Sequence, residues 1–94
     1  VDPFMGSLID AHAEKLYFDF CATGLKEGAE EIIKPTKLDI GYEGHYVSPS
    51  IHYLAKPQLA GKFIQDEIFG PNCTFIPYDS IEEAIHIANS TDYG

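Results

Sequence analysis

Arginine is absent from this chain, and its six basic residues, Lys15, Lys26, Lys34, Lys37, Lys56 and Lys62, are scattered lysines. They face 15 acidic side chains, leaving a net charge of −9 and a pI near 4.6. Such a surface repels phosphate, so nucleic acid and anionic membranes are excluded as expected partners. Long apolar runs are also missing: nothing approaches the ~20 residues that cross a bilayer. The opening residues Val1-Asp2-Pro3-Phe4-Met5-Gly6 lack a basic region followed by an apolar stretch, so no signal peptide is expected. Cysteine is scarce. Cys21 and Cys73 are too few for a disulfide framework and lack CxxC spacing, which points to a reducing, cytoplasmic setting.

What is present suits one small folded unit. At 94 residues the chain is too short for two domains, and a chain of this length buries only about 60–65% of the surface exposed when unfolded. A hydrophobic fraction of 45% with no low-complexity tract places it among globular rather than disordered sequences. Ser7, with Asp10 three residues on, predicts a capped helix over about 8–27, with Ile9, Ala13, Leu16, Phe20 and Gly24 on one face. Gly28 is positioned to end it. Glu30-Glu31-Ile32-Ile33-Lys34 reads as a strand at about 31–34 closed by Pro35, and residues 36–44 read as loop. A strand over 46–54 follows, edge-like or bulged because Pro49 lies inside it. Residues 55–66 are ambiguous. A strand at about 73–78 precedes a capping box, Ser80 with Glu83, and a helix over about 81–89 that should bury Ile81, Ala84, Ile85 and Ala88. Helices interleaved with strands in this order predict an α/β layered fold.

No complete catalytic set is visible. His12, His45, His52 and His86 form neither an HExxH pattern nor a cluster with close cysteines, so packing or solvated histidines are expected and no metal site. Cys21, among Phe18, Phe20 and Ala22, reads as a buried inert thiol, and nothing next to Cys73 would activate it. The acidic neighbours Glu30-Glu31, Asp66-Glu67 and Glu82-Glu83 point in different directions and read as surface charge. Asn72-Cys73-Thr74 and Asn89-Ser90-Thr91 match the glycosylation sequon by accident. The most unusual stretch is Gln65-Asp66-Glu67-Ile68-Phe69-Gly70-Pro71. In extended backbone, positions 67 and 69 point the same way, so a carboxylate and a ring could together grip a polyol and an attached flat heterocycle, as in a nucleoside. The plainer alternative sends Phe69 into the core and leaves Glu67 solvated.

Glu67-Ile68-Phe69-Gly70-Pro71 resembles the Glu-Ile-Phe-Gly-Pro signature of the aldehyde dehydrogenase superfamily. Upstream, Gly44-His45-Tyr46-Val47-Ser48-Pro49-Ser50 resembles that family's Gly-x-aromatic-aliphatic-x-Pro-Thr strand. Downstream, the stretch from Ala84 through Ala88-Asn89 and Thr91 to Tyr93-Gly94 is similar to its Ala-x-x-x-Ala-Asn-x-Thr-x-Tyr-Gly. Met5-Gly6-Ser7-Leu8-Ile9 resembles a Gly-Pro-Leu-Ile segment, with Ser7 where proline is usual, and Glu27-Gly28-Ala29 follows the next helix as in relatives. The likeness covers essentially all 94 residues.

The resemblance implies an NAD(P)+-dependent oxidation of an aldehyde to a carboxylic acid: thiohemiacetal formation on a cysteine, hydride transfer to nicotinamide, and thioester hydrolysis. It implies a Rossmann-like, partial layered α/β piece of the catalytic domain spanning 1–94. The nucleophile's Gly-Gln-x-Cys motif, the general-base glutamate, the oxyanion asparagine and the Gly-rich dinucleotide turn lie before the matched region, so no catalytic residue carries over. Two cofactor-binding residues do: Glu67, which would hold the hydroxyls of the nicotinamide ribose, and Phe69, which would contact the nicotinamide end. Family chains also continue past the Tyr-Gly pair, so an excised segment, inactive alone, is expected. Its partners would be the rest of a parent enzyme, itself a homo-oligomer, and an aldehyde substrate. Composition and element order by themselves leave open a free-standing acidic α/β interaction module with no enzyme activity, or a hydrolase built on two converging carboxylates.

Overall fold

Asp10, in extended backbone, accepts a hydrogen bond from Ala13 N at 2.8 Å and so starts helix α1, Ala11–Lys26. The cap is therefore Asp10 and not Ser7. Ser7 Oγ instead accepts from His45 N at 2.7 Å, and Leu8 N donates to His45 O, so the segment before the helix is tied to residue 45 rather than wound into the helix. At the other end Gly28 has φ +97°, which lets Ala29 N reach Gly24 O at 2.8 Å and Gly28 N reach Leu25 O at 3.2 Å. This is the doubly bonded turn with which helices commonly stop at glycine. The computed structural model describes residues 4–41 and 43–93; Val1, Asp2 and Pro3 of the opening segment and Gly94 of the last motif lie outside them.

The strands are shorter than their apolar runs. β1 is Glu30–Ile33, β2 is Ser50–Tyr53 and β3 is Asn72–Phe75. They lie in the order β1-β2-β3, with β1 antiparallel to β2 and β2 parallel to β3. The expected strand over 46–54 is broken because Pro49 has no N–H to give to a ladder. Before it, Val47 pairs only with Lys37 in an isolated bridge, which also draws part of the expected 36–44 loop into pairing. The expected 73–78 strand ends at Phe75, ahead of Pro77. In β1, Glu31 faces His52 and Ile33 faces Ile51, so Ile32 is an extra, unpaired residue: a bulge.

The ambiguous 55–66 stretch contains a short helix, α2, Lys62–Gln65. Phe63 N donates to the Glu27 carboxylate at 3.3 and 3.4 Å, so the end of α1 receives the start of α2. Helix α3, Ile81–Ala88, is capped by Ser80 Oγ accepting from Glu83 N at 3.1 Å, while the Glu83 carboxylate accepts from Asp79 N at 3.0 Å. Its expected burial does not occur. Ile81 and Ile85 are 62% and 55% exposed, and among the described residues no helix or strand packs on α3.

The core forms two small clusters. Tyr17, Cys21 and Val47 gather Leu8, Phe18 and Ile68; Ala29, Leu54 and Phe63 gather Phe20, Ile64 and Ile76. On α1 the buried stripe is thus Tyr17, Cys21 and Gly24, spaced four and three apart, rather than the face running from Ile9 through Leu16. Ile9 is 90% exposed because that face looks outward. A radius of gyration of 14.5 Å exceeds the ~12 Å of a compact chain of this length, as so thin a core requires. The α/β class holds, as three helices with a mixed three-stranded sheet.

Candidate functional site

The outward face of α1 and the residues following α2 enclose a concavity of about 840 Å³. Ile9, Ala13, Leu16 and Phe20 form one wall, and Glu67 and Phe69 form part of the other. The second wall is held from several sides. Gln65 Nε2 donates to Leu59 O and to Ser90 O, the latter at 2.8 Å. Tyr93 OH lies 3.2 Å from Ile64 O and 3.3 Å from Asp66 O. Burial, reinforced by the charges of Glu67 and Asp66, pushes the Tyr93 phenol upward, so it stays a donor. Asp66 leaves α2 in extended backbone, and Ile68 turns inward onto the Tyr17 cluster. With Ile68 inward, alternation sends Glu67 and Phe69 outward on the same side.

Both outward residues are available. Among the described residues Glu67 forms no hydrogen bond or ion pair, since the nearby Lys62 pairs with Asp66 at 2.7 Å instead. Phe69 is 78% exposed, which overturns the alternative that it enters the core. Two free carboxylate oxygens can accept from vicinal hydroxyls, and the bare ring offers an apolar contact to a flat group. Acceptor oxygens beside an apolar ring fit a ribose bearing a heterocycle, which is the combination found at the nicotinamide end of a dinucleotide.

Neither cysteine lines the concavity. Cys21 is buried, its Sγ 3.8 Å from Ser50 Oγ, and desolvation pushes its thiol upward, the state of an inert sulfur. Cys73 is exposed on β3. The histidines do separate jobs: His52 is fully buried with Nδ1 2.7 Å from Asn72 Oδ1 and Nε2 3.6 Å from Glu31 Oε1, while His45 Nδ1 lies 2.8 Å from Glu14 Oε2. Hydrogen bonding by His45, then by Lys37, holds the Glu14 carboxyl below its usual value. Among the described residues no three metal-ligating side chains converge. The Asn72 side chain of the first sequon is occupied by Ser50, His52 and Thr74. Sequence reasoning missed Tyr17, whose hydroxyl sits at the back of the second wall. The signal was the Tyr17, Cys21, Gly24 spacing, which competes on the same helix with the louder stripe through Leu16.

A family model described as the aldehyde dehydrogenase family matches residues 1–94. The chain is 35% identical over 95 residues to the alpha-ketoglutaric semialdehyde dehydrogenase of Bacillus subtilis, covering 99% of this chain and 19% of that protein. It is 34% identical over 92 residues to the mitochondrial, acylating methylmalonate-semialdehyde/malonate-semialdehyde dehydrogenase of Homo sapiens, covering 96% and 17%. The solved structure of a P. syringae indole-3-acetaldehyde dehydrogenase mutant in complex with NAD+ and IAA superimposes with a TM-score of 0.82 at 33% identity, over 96% of this chain and 18% of that one. The chain therefore spans less than a fifth of the length of the relatives it matches.

Proposed function

Because the chain belongs to the aldehyde dehydrogenase family, we propose that its 94 residues form part of the catalytic domain of an enzyme that oxidises an aldehyde to a carboxylic acid with NAD(P)+. Within it, Glu67 and Phe69 hold the nicotinamide end of the cofactor: the carboxylate accepts from the ribose hydroxyls and the ring limits how the nicotinamide can tilt. The observation that carries this reading is the pair itself, a carboxylate without a partner among the described residues and a bare ring, both on one wall of the concavity. When bound, the cofactor supplies the hydride acceptor. The task of this chain is to fix where that acceptor stands, and positioning of this kind is a large part of many rate accelerations.

Residues that bond to substrate are no part of this assignment. With Cys21 buried and neither thiol at the concavity, the segment alone is expected to be inactive, its partners being the rest of the parent enzyme and the aldehyde. Two unpaired thiols support a reducing, cytoplasmic location. The test is Glu67→Gln in the full-length enzyme. Turnover should fall between about tenfold and a hundredfold, with a larger primary isotope effect from deuterated aldehyde. An isotope effect that stays near unity while turnover drops would show that hydride transfer did not become limiting and would remove the positioning role.

A further inference from the structure

The side chains of Tyr17 on α1, Ser50 on β2 and Asn72 on β3 form one hydrogen-bonded set next to the segment that carries Glu67 and Phe69. Tyr17 is among the most deeply buried residues of the chain. Its hydroxyl lies 2.8 Å from Ser50 Oγ, 3.0 Å from Ser48 O and 3.2 Å from Pro71 O, so one phenolic proton is shared between the entry to β2 and the end of the Glu67–Pro71 segment. Ser50 Oγ goes on to Asn72 Oδ1 at 2.9 Å, and Ser50 N donates to Pro71 O at 2.9 Å. The phenol ring completes the clamp: a Cβ at Gly70 would stand 2.6 Å from Tyr17 Cδ1, so the backbone at 70 touches the ring with no room between. Two residues before Gly70, Ile68 packs on the cluster that contains Tyr17.

We propose that Tyr17 is a positioning residue for Glu67 and Phe69: ring and hydroxyl together fix the backbone from Ile68 to Pro71, so that the carboxylate and the aromatic ring face the concavity as a pair. Among the described residues neither outward side chain has anchorage of its own, Glu67 making no hydrogen bond or ion pair and Phe69 standing 78% exposed, and their direction is therefore inherited from the backbone between them. The register follows from the inward Ile68, and the inward Ile68 follows from Tyr17. The role rests on the reading that Glu67 and Phe69 hold the nicotinamide end.

The experiment uses the full-length enzyme and four variants: Tyr17→Phe, Gly70→Ala, Glu67→Gln and the double variant Tyr17→Phe/Glu67→Gln. Hydrogen–deuterium exchange at amides 67 to 70 reads the clamp without any cofactor; NAD+ titration and the deuterium isotope effect read its consequence. Tyr17→Phe keeps the ring and removes the shared bond, so exchange should quicken and NAD+ affinity fall about threefold to tenfold, the scale of one net hydrogen bond, with KM for aldehyde unchanged. Gly70→Ala, which keeps the hydroxyl but forces the backbone off the ring, should reproduce both changes even where Tyr17→Phe folds poorly. The double variant should bind NAD+ no worse than Glu67→Gln alone, because a residue that acts through Glu67 has nothing left to act on. Unchanged exchange in both Tyr17→Phe and Gly70→Ala, or fully additive losses in the double variant, would overturn the proposal. If Glu67→Gln alone leaves NAD+ affinity and the isotope effect untouched, the cofactor reading falls and takes this role with it, a result distinguishable because exchange still reports the clamp.

Discussion

Helices α1 and α3 both begin at a side-chain cap, Asp10 for one and Ser80 for the other, and both carry apolar residues at helical spacing. Yet α1 buries Tyr17, Cys21 and Gly24, whereas α3 buries nothing, and its Ile81 and Ile85 stand in solvent. The contrast separates two kinds of information. A cap and a periodic stripe dictate that a helix forms and which side it offers; they carry no information about what lies against that side. For α1 the cover is local, supplied by Val47, Phe63 and Ile68 within the same 94 residues. On the proposed reading the cover of α3, and of the outward Ile9 and Leu16 face of α1, comes from the remainder of a longer enzyme.

Truncating the covered helix should have the largest effect. Tyr17→Ala is expected to cost about 3–5 kcal/mol, enough to unfold so thin a domain, and urea titration followed by circular dichroism reads it. A loss below about 1 kcal/mol would mean that α1 is no better anchored than α3. Ile85→Ala sharpens the comparison from the other side. In the 94-residue chain its effect should stay within about 0.5 kcal/mol, whereas in the full-length enzyme it should rise to about 2–5 kcal/mol. Equal small effects in both settings would leave α3 a solvent-facing helix and remove the proposed cover.

The smallest effect concerns acid. Because His45 and Lys37 lower the Glu14 carboxyl in the folded chain, the clamp that Glu14 of α1 makes on Lys37 and His45 is complete above the ordinary value of 4.5 and is lost as pH falls through the lowered one. Glu14→Gln should therefore flatten the decline in thermal stability below about pH 4.5 while leaving melts near neutrality with only a small constant offset. Parallel curves for the two proteins down to acid would show that the clamp does not couple to folding.

Much of this was legible in advance, and the misses share a cause. Gly28 ends α1 as expected because a positive φ is a local demand that glycine alone meets cheaply. The alternation of Glu67 and Phe69 was readable for the same reason: period two is a property of extended backbone. The start of α1 was misplaced because Ser7 and Asp10 are both capable caps, and the choice fell to a distant partner when His45 N claimed Ser7 Oγ. Tyr17 went unnoticed because its acceptors at Ser48, Ser50 and Pro71 are more than thirty positions away. The exposed face of α3 was unreadable because a capped, periodic stripe does not say what lies against it, and among the described residues no helix or strand does.

The extra residue in β1 bears on solubility. β1 borders the sheet, and a regular strand there would template the addition of another, the route by which edges recruit copies into fibres. Ile32 interrupts the hydrogen-bonding rhythm of that border, and the exposed Glu30 sets a negative charge near the interruption, Glu31 being turned to the buried His52. An incoming strand would meet a kinked ladder and like charge rather than a straight row of donors and acceptors. β3, whose pairing with β2 runs without a break from Asn72 to Phe75, has no such guard, so any edge-to-edge growth of this chain would proceed from β3 in one direction only.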